Sequence, residues 1–277
     1  LLREGAEEKT DLFILPEAAL PFRPWGGAAG VYKMSEQDLK MGIPFAYAVQ
    51  ELGVPLVTGA VLASEKGWFN SALLYEPAKG KAAGEVTPND LIRARYDKRG
   101  LLAFGEKLPF EPILGWLRKY LPGLGTGFEA GEGPMTFETV VPLEMSICYE
   151  AILPPMTREA VKTEKGVLLN LTNDAWFGKG DERHQHWSLA VWRTIENGVW
   201  LLRATNTGRT SIVDPAGRET ARAPESERAI LRAAVRPASL PTFYRTTGHF
   251  FPTVCALWVL SGLALSYQRR FMGIPSP

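Results

Sequence analysis

The chain has 277 residues, 45% of them hydrophobic and 22% charged, which is ordinary for a globular protein and excludes a wholly disordered one. Its 31 basic and 30 acidic residues nearly cancel, so bulk charge does not direct the chain toward nucleic acid. The two cysteines, Cys148 and Cys255, are too few for a disulfide framework or a four-cysteine zinc module.

Helices and strands alternate along most of the chain. The apolar spacing of Asp38–Glu51 predicts a helix, and residues 54–63 (VPLVTGAVLA) predict a strand with a turn glycine. Residues 156–173 and 186–208 repeat the order of helix then strand, with glycines as helix stops. This alternation indicates an α/β fold.

Two hairpins are predicted between these units, in residues 69–86 (FNSALLYEPAKGKAAGEV) and 208–223 (GRTSIVDPAGRETARA). Each segment contains a strand, a turn with an acidic residue, Pro and Gly, and a second strand. Hairpins among helix–strand units give mixed sheets, which need a partner sheet on one face and helices on the other. We therefore predict one large domain over residues 1–238 and a linker over residues 239–249.

The last apolar segment has the character of a membrane span. Residues 250–267 (FFPTVCALWVLSGLALSY) carry no charge, and at ~1.5 Å per residue they reach roughly 27 Å, close to the ~30 Å hydrocarbon core of a bilayer. A buried terminal helix is the alternative, but the aromatic ends and Arg269 and Arg270 beyond them favour the span. We predict a transmembrane helix over residues 250–268 and a cytoplasmic tail over residues 269–277, with the preceding domain on the outer side.

Three apolar runs end in reactive side chains, which is where α/β sheets place their sites. A thiol with a pKa of ~8.5 is mostly protonated at neutral pH, so it needs a base or a cation that stabilises the thiolate. Each of these side chains also has a purely structural interpretation. Cys148 can be a small buried hydrophobe, Glu17 a helix cap and Lys98 a solvated loop charge. The residues are Glu17, then Lys98 with Glu106, and then Cys148 with Tyr149 and Glu150.

Histidine is the usual base for cysteine, so the three histidines offer an alternative site. His184 and His186 lie at the predicted start of a helix, near Asp181 and Glu182, while His249 lies far along the chain. A Cys–His hydrolase or a small metal site is conceivable from this cluster, but no further cysteine or histidine completes a zinc set. Polar structure at the start of a helix is the simpler interpretation.

The order of Glu17, Lys98 and Cys148 resembles the Glu-Lys-Cys set of the nitrilase (carbon-nitrogen hydrolase) superfamily. Longer segments, which run through nearly the whole chain, resemble its membrane branch, the apolipoprotein N-acyltransferases. The resemblance implies a nitrilase-like αββα sandwich with mixed sheets, followed by one C-terminal transmembrane helix. The matching segments are LPEAALPF, FNSALLYEPAKG, YDKRGLLAFGEKLPFE, ICYE, NLTNDAWFG, RTIENGVWLLRATNTGRTSIVDPAGR and FYRTTGHFFP.

The resemblance also implies roles for the site residues. Glu17 is the general base, Cys148 the nucleophile, and Lys98 the cation that helps to hold the tetrahedral oxyanion. Lys98 and the backbone N–H of Tyr149 can both donate to that oxyanion while Glu106 orients Lys98. The supporting positions that match the family are Glu106, Tyr149 and Glu150.

Two features depart from the family pattern. The chain lacks the first strand of the domain and the membrane helices expected upstream, and it starts at Leu1 without a methionine or signal peptide, so we expect a fragment of a longer protein. Leu15 stands where a tryptophan often precedes the Pro-Glu pair, a change that leaves the chemistry intact.

The implied activity is transfer of an acyl chain from a membrane phospholipid, through a cysteine thioester, to the α-amine of the lipidated N-terminal cysteine of an apolipoprotein. The expected location is the bacterial inner membrane, with the catalytic domain on the periplasmic side; no cofactor, metal or nucleic acid is implied. An amidase of the same superfamily that hydrolyses a small amide is the alternative enzyme. A membrane-tethered binding domain with a dead site is the alternative from another class.

A transferase that acts on lipids must open its site toward the bilayer. Aromatic residues beside glycines and prolines in three segments, residues 20–27, 111–117 and 174–180, are candidates for contact with lipid. The alternative is that these rings fold back onto the core. The candidate lipid-facing residues are Trp25, Trp116, Trp176 and Phe177.

Overall fold

Two six-stranded sheets face each other, and helices cover their outer surfaces, so the fold is an αββα sandwich. The structure is a computed structural model that describes residues 2–6, 8–26, 32–121, 125, 127–178, 180–225, 227–238 and 240–272. Within these ranges, the side chains of residues 3, 25, 26 and 269–272 are not described. The expected αββα class with mixed sheets is confirmed.

The first sheet has the strand order β3-β2-β4-β5-β6, and β1 also pairs with β4. Both β1 and β2 run parallel to β4, whereas the other pairings are antiparallel. Its strands are β1 (Phe13–Ile14), β2 (Trp25–Gly26), β3 (Tyr32–Lys33), β4 (Leu56–Ser64), β5 (Gly67–Tyr75) and β6 (Ile92–Asp97).

The second sheet has the order β12-β11-β10-β9-β8-β7, and its three central strands β8, β9 and β10 are parallel. Their carboxyl ends therefore meet at one edge, which is where α/β sheets hold their sites. Its strands are β7 (Thr136–Glu138), β8 (Pro142–Ile147), β9 (Val167–Thr172), β10 (Leu201–Thr205), β11 (Ser211–Val213) and β12 (Glu219–Arg222).

Eight α-helices lie in the described ranges. They are α1 (Leu2–Gly5), α2 (Glu36–Leu52), α3 (Pro88–Leu91), α4 (Glu111–Leu114), α5 (Pro154–Ala160), α6 (Glu182–Asn197), α7 (Phe243–Thr247) and α8 (Phe250–Met272). Four short 3-10 helices accompany them, at Ala83–Glu85, Gly115–Lys119, Cys148–Ile152 and Asp174–Phe177.

Alternation along the strands divides the apolar residues among three cores. Val57 and Leu74 of the first sheet pack against Met145 and Leu169 of the second, in the core between the sheets. Alternate residues of the same strands face outward, where α2 covers the first sheet and Ala190 of α6 covers the second. The apolar side chains of the strands fill these cores, so the polar side chains that could form a site lie at the strand ends, along the sheet edge.

The predicted helix at Asp38–Glu51 is confirmed as α2. The Ser35 side chain accepts a hydrogen bond from the Asp38 N–H at its start, and Gly53 ends it with φ 66°. The prediction that the following strand contains a turn glycine is wrong, because Gly59 lies in the middle of β4. A Cβ at this position would lie 2.5 Å from the Glu17 Cα, so glycine allows two segments to approach closely.

One predicted hairpin is confirmed and the other is wrong. Antiparallel β11 and β12 form the hairpin in residues 208–223. In residues 69–86 the first strand is β5, but its antiparallel partner β6 begins only at Ile92. The Gln50 side chain of α2 forms hydrogen bonds with the Ala78 backbone and with the Lys81 carbonyl. The segment between β5 and β6 is therefore held against α2 and does not form a tight turn.

Helix α8 contains the predicted span. In the described part of the chain, residues 250–268 form the one helix long and apolar enough to cross a membrane, and its side chains are not buried by the rest of the protein. The segment before it is fastened to the domain, since Arg158 donates to the Arg245 carbonyl at 3.0 Å and Arg245 donates to the Thr163 carbonyl at 3.1 Å. Residues 273–277 of the predicted tail, and its arginine side chains, lie outside the described part.

Candidate active site

The three reactive residues sit at the strand ends where the sequence predicts them. Glu17 follows β1, Lys98 follows β6 directly, and Cys148 follows β8 directly. Glu17 and Lys98 are buried, whereas Cys148 is partly exposed. Because the first two come from one sheet and the third from the facing sheet, packing of the sheets is what brings them together.

A continuous chain of polar contacts joins the two carboxylates and the lysine. The Lys98 ammonium lies 2.6 Å from one oxygen of Glu106. The Asn70 amide donates to the other Glu106 oxygen at 3.0 Å and to Glu17 Oε1 at 2.6 Å. Lys98 is thus held by Glu106, and Glu17 is aligned through Asn70.

Glu17 has the character of a proton acceptor. Its Oε2 is buried and has no hydrogen-bond partner among the described residues, so one carboxylate oxygen is free. Burial raises the pKa of Glu17 above its ordinary value, although the Lys98 charge and the Asn70 hydrogen bond oppose this effect. A carboxylate with a raised pKa is a stronger base than a solvated one.

Cys148 is held in an uncommon backbone conformation, with φ 50° at the start of the 3-10 helix. Burial and the Glu17 charge raise the pKa of its thiol to about 11, although Lys98 and a hydrogen bond with Thr172 oppose the rise. The thiol is therefore protonated at neutral pH in the resting site. It needs a base to become a nucleophile.

Lys98 supplies a permanent positive charge to the site. Burial alone would lower the pKa of Lys98, but its interactions with the acidic groups of Cys148, Glu17 and Glu106 raise it above the ordinary value. The ammonium is protonated throughout the physiological range. Lys98 can therefore donate to developing negative charge but cannot serve as a base.

Glu150 connects the lysine end of the site to the cysteine end. Its buried carboxylate accepts hydrogen bonds from the backbone N–H groups of Ile147, Arg99 and Gly100, at 2.6–2.9 Å. The Tyr96 hydroxyl also donates to it at 2.8 Å. Glu150 thus ties the strand ends that carry Lys98 and Cys148, while Tyr149 beside it is partly exposed.

Sequence reasoning missed three contributors to the site: Asn70, Tyr96 and Thr172. Asn70 and Thr172 are buried polar residues on strands, and both lie within segments that carry the family resemblance. A polar side chain on an otherwise apolar strand was the available signal, because such a group is costly to bury without a partner.

The histidines occupy different places. The His186 ring lies 3.3 Å from the backbone carbonyl oxygen of Cys148, so the hydrogen bond that joins the two residues involves the backbone and not the thiol. His184 and His249 are exposed. Among the described residues no group of three or more His, Cys, Asp or Glu side chains could hold a metal ion. The contacts give no support to a Cys–His pair.

The candidate lipid-facing residues differ in how far their side chains are exposed. Trp116 and Trp176 are 62% and 81% exposed, whereas Phe177 is 37% exposed and its ring lies against His186. The Trp25 side chain lies outside the described part of the structure. Further exposed apolar residues flank Trp116; they are Phe110, Ile113, Tyr120 and Leu121.

An open groove of about 480 Å³ adjoins the loop that carries Lys98 and Glu106. Its walls are mainly apolar, with two cationic side chains and one carboxylate among them. The lining residues are Arg99, Leu101, Ala103, Lys107, Leu108, Pro109, Phe110, Glu111, Pro112 and Ala130. Mainly apolar walls of this kind suit an apolar ligand or chain.

The chain is similar to known proteins over most of its length. The family model described as carbon-nitrogen hydrolase matches residues 1–244. An apolipoprotein N-acyltransferase from Methylococcus capsulatus is 39% identical over 263 residues, which cover 94% of this chain and 47% of that protein. One from Geobacter metallireducens is 32% identical over 270 residues, with coverage of 94% and 47%. The chain thus spans about half the length of the curated relatives it matches.

A solved structure shares the fold. An amidase from Nesterenkonia sp. superposes with a TM-score of 0.58 at 18% identity, over 93% of this chain and 86% of that one. At this identity the likeness concerns the fold alone, and it agrees with the two facing mixed sheets described above.

Proposed function

Because the chain belongs to the carbon-nitrogen hydrolase family, we propose that it is an N-acyltransferase that works through a thioester on Cys148. The observation that carries the proposal is the buried chain of contacts from Glu17 through Asn70 and Glu106 to Lys98, beside a partly exposed thiol. This arrangement supplies a base, a cation and a nucleophile in one site. The catalytic domain corresponds to residues 1–238.

In the first half of the reaction, Cys148 takes an acyl group from a phospholipid. Glu17 accepts the thiol proton, and the thiolate attacks the ester carbonyl carbon. The resulting oxyanion is stabilised by the Lys98 ammonium and the Tyr149 N–H. The tetrahedral intermediate collapses by breaking the carbon–oxygen bond, and the proton on Glu17 passes to the departing lysophospholipid oxygen.

In the second half, the α-amine of a lipidated N-terminal cysteine attacks the thioester carbonyl. Glu17 accepts a proton from the attacking amine, and Lys98 again stabilises the oxyanion. The carbon–sulfur bond breaks, the proton returns to the Cys148 sulfur, and an amide is released. A thioester suits this step because it reacts readily with amines.

Helix α8 and the exposed aromatic residues support lipid substrates. An apolar helix whose side chains have no protein cover fits the bilayer, and the mainly apolar groove fits an acyl chain. We place the protein in the bacterial inner membrane, with residues 1–249 on the periplasmic side and a cytoplasmic C-terminus. The partners are then a phospholipid donor and a diacylglyceryl apolipoprotein acceptor.

A direct assay separates the transferase from the alternative amidase. The protein in phospholipid vesicles is given a labelled phospholipid and a peptide whose N-terminal cysteine carries a diacylglyceryl group. We expect the label in an amide on the peptide, detected by mass spectrometry. Release of the label only as free fatty acid, together with hydrolysis of small amides, would favour the amidase.

Trp116→Ser is expected to reduce transfer from vesicle-embedded phospholipid by roughly tenfold, because it removes an exposed aromatic anchor at the membrane interface. Acylation by a small soluble ester should be unchanged, since Trp116 is not among the contacts of the reactive groups. Trp192→Ser is the matched control, because Trp192 is 56% exposed on α6, outside the candidate loops. Equal loss with both donors would contradict a lipid-facing role.

A further inference from the structure

A cluster of buried polar side chains lies beside Cys148 and has no part in the mechanism above. It consists of Asn170, Asp174, His186 and Arg203, and each is at most 5% exposed. They come from β9, the 3-10 helix after it, α6 and β10. Burying charged groups is costly unless they are paired, so the contacts that satisfy them define what the cluster holds in place.

The contacts within the cluster fix the His186 ring. Asp174 Oδ1 lies 2.8 Å from His186 Nδ1, and Arg203 donates to Asp174 Oδ2 at 3.0 Å. Arg203 also donates to the Asn170 side-chain oxygen. Burial raises the pKa of Asp174, but the hydrogen bond with His186 and the Arg203 charge outweigh it and keep the pKa below its ordinary value. The carboxylate therefore remains charged at neutral pH.

Two arms of the cluster converge on a single backbone atom. His186 Nε2 lies 3.3 Å from the Cys148 carbonyl oxygen, and the Asn170 amide donates to the same oxygen at 3.4 Å. A carbonyl oxygen only accepts hydrogen bonds, so His186 Nε2 is the donor in this contact, while Nδ1 faces both the Asp174 carboxylate and the Arg203 guanidinium, at 2.8 and 3.1 Å. Cys148 thus has two buried donors on its carbonyl while its φ is 50°.

The held carbonyl belongs to the peptide unit that ends in the Tyr149 N–H. That unit is planar and trans, so the C=O of Cys148 and the N–H of Tyr149 point in opposite directions. Fixing the oxygen on one side therefore sets the direction of the N–H on the other. Hydrogen bonds to the oxygen also polarise the peptide unit, which strengthens the N–H as a donor.

We propose that His186 is a positioning residue, which with Asn170, Asp174 and Arg203 holds the Cys148 carbonyl so that the Tyr149 N–H points at the reacting oxyanion. The role rests on the proposed function, because it requires that Cys148 be acylated. In this role His186 acts through the Cys148 carbonyl and exchanges no proton with the thiol.

A pair of substitutions isolates the relevant hydrogen bond. The amide nitrogen of glutamine can occupy the place of His186 Nε2 and donate to the Cys148 carbonyl. The amide nitrogen of asparagine matches Nδ1 instead, so it keeps a contact with Asp174 but cannot reach Cys148. We expect His186→Asn to lower the rate of Cys148 acylation by p-nitrophenyl butyrate by ~10- to 100-fold, and His186→Gln to restore most of that rate.

Alkylation of Cys148 by iodoacetamide is the internal reference, because it requires the sulfur but forms no oxyanion. Its rate and its pH profile should be the same in wild type, His186→Asn and His186→Gln. If His186→Asn does not fold, Asn170→Leu removes the other donor without adding a charge, leaves Arg203 its hydrogen bond to Asp174, and should give the same split between the two reactions.

Two results would overturn the positioning role. One is acylation at the wild-type rate in whichever of His186→Asn and Asn170→Leu folds; the other is a parallel fall of acylation and alkylation, which would mean general disruption of the site. A wild-type protein that is alkylated but never acylated at Cys148 would refute the proposed function itself, so the wild-type control distinguishes the two failures.

Discussion

Glu17→Gln is expected to lower the rate of Cys148 acylation by ~10²–10⁴-fold while the fold is retained. Glutamine is isosteric with glutamate, and its amide oxygen can still accept the Asn70 hydrogen bond. Its amide nitrogen cannot take a thiol proton in place of the free Oε2. The base is therefore lost without loss of packing.

The pH profile of Cys148 alkylation gives an independent check on Glu17. Its negative charge raises the pKa of the thiol, so Glu17→Gln should shift the alkylation midpoint to lower pH even as acylation falls. Glu196→Gln is the matched control, because Glu196 is a partly buried carboxylate on α6 that pairs with Arg193. Near-normal single-turnover acylation in Glu17→Gln would rule out the general-base role.

Lys98→Met is expected to lower acylation by ~10²–10³-fold, because it removes the cation that stabilises the oxyanion. Methionine keeps an unbranched apolar chain in this fully buried position, so the surrounding packing changes little. The Lys98 charge lowers the pKa of Cys148, so its loss should move the alkylation midpoint to higher pH. This shift is opposite in sign to the one expected for Glu17→Gln.

Single-turnover acylation, alkylation against pH and thermal unfolding are measured together for Lys98→Met. Lys66→Met, in the exposed turn between β4 and β5, is the control and should match wild type in all three. Alkylation midpoints that move in the same direction in Glu17→Gln and Lys98→Met would contradict the electrostatic account of the site.

The sequence predicts the strand ends well because their signal is local. Glu17 and Cys148 each follow a short apolar run, and Lys98 follows a segment in which apolar and charged residues alternate; these patterns can be recognised without knowing what packs nearby. The hairpin in residues 208–223 is predicted for the same reason, since its turn residues lie together. The helix α2 carries both its periodicity and its capping residues within its own segment.

Features that depend on contacts between distant segments were missed. Considered alone, Gly59 indicates a turn. It lies within β4 instead, where the absence of a Cβ lets the Glu17 backbone pass close to the strand. The role of Asn70 can be recognised only in the folded protein, where its amide donates to both Glu17 and Glu106. His186 at the start of a helix gives no local sign that its ring will meet the Cys148 carbonyl.

Intact-mass spectrometry of the protein incubated with phospholipid tests most directly whether Cys148 carries the acyl group. A hydroxylamine-sensitive adduct with the mass of one acyl chain should appear in wild type and in Cys255→Ala, because Cys255 lies on α8 away from Glu17 and Lys98. The adduct should be absent from Cys148→Ala. An acyl adduct that persists in Cys148→Ala, or one that depends on Cys255, would contradict the assignment of the nucleophile.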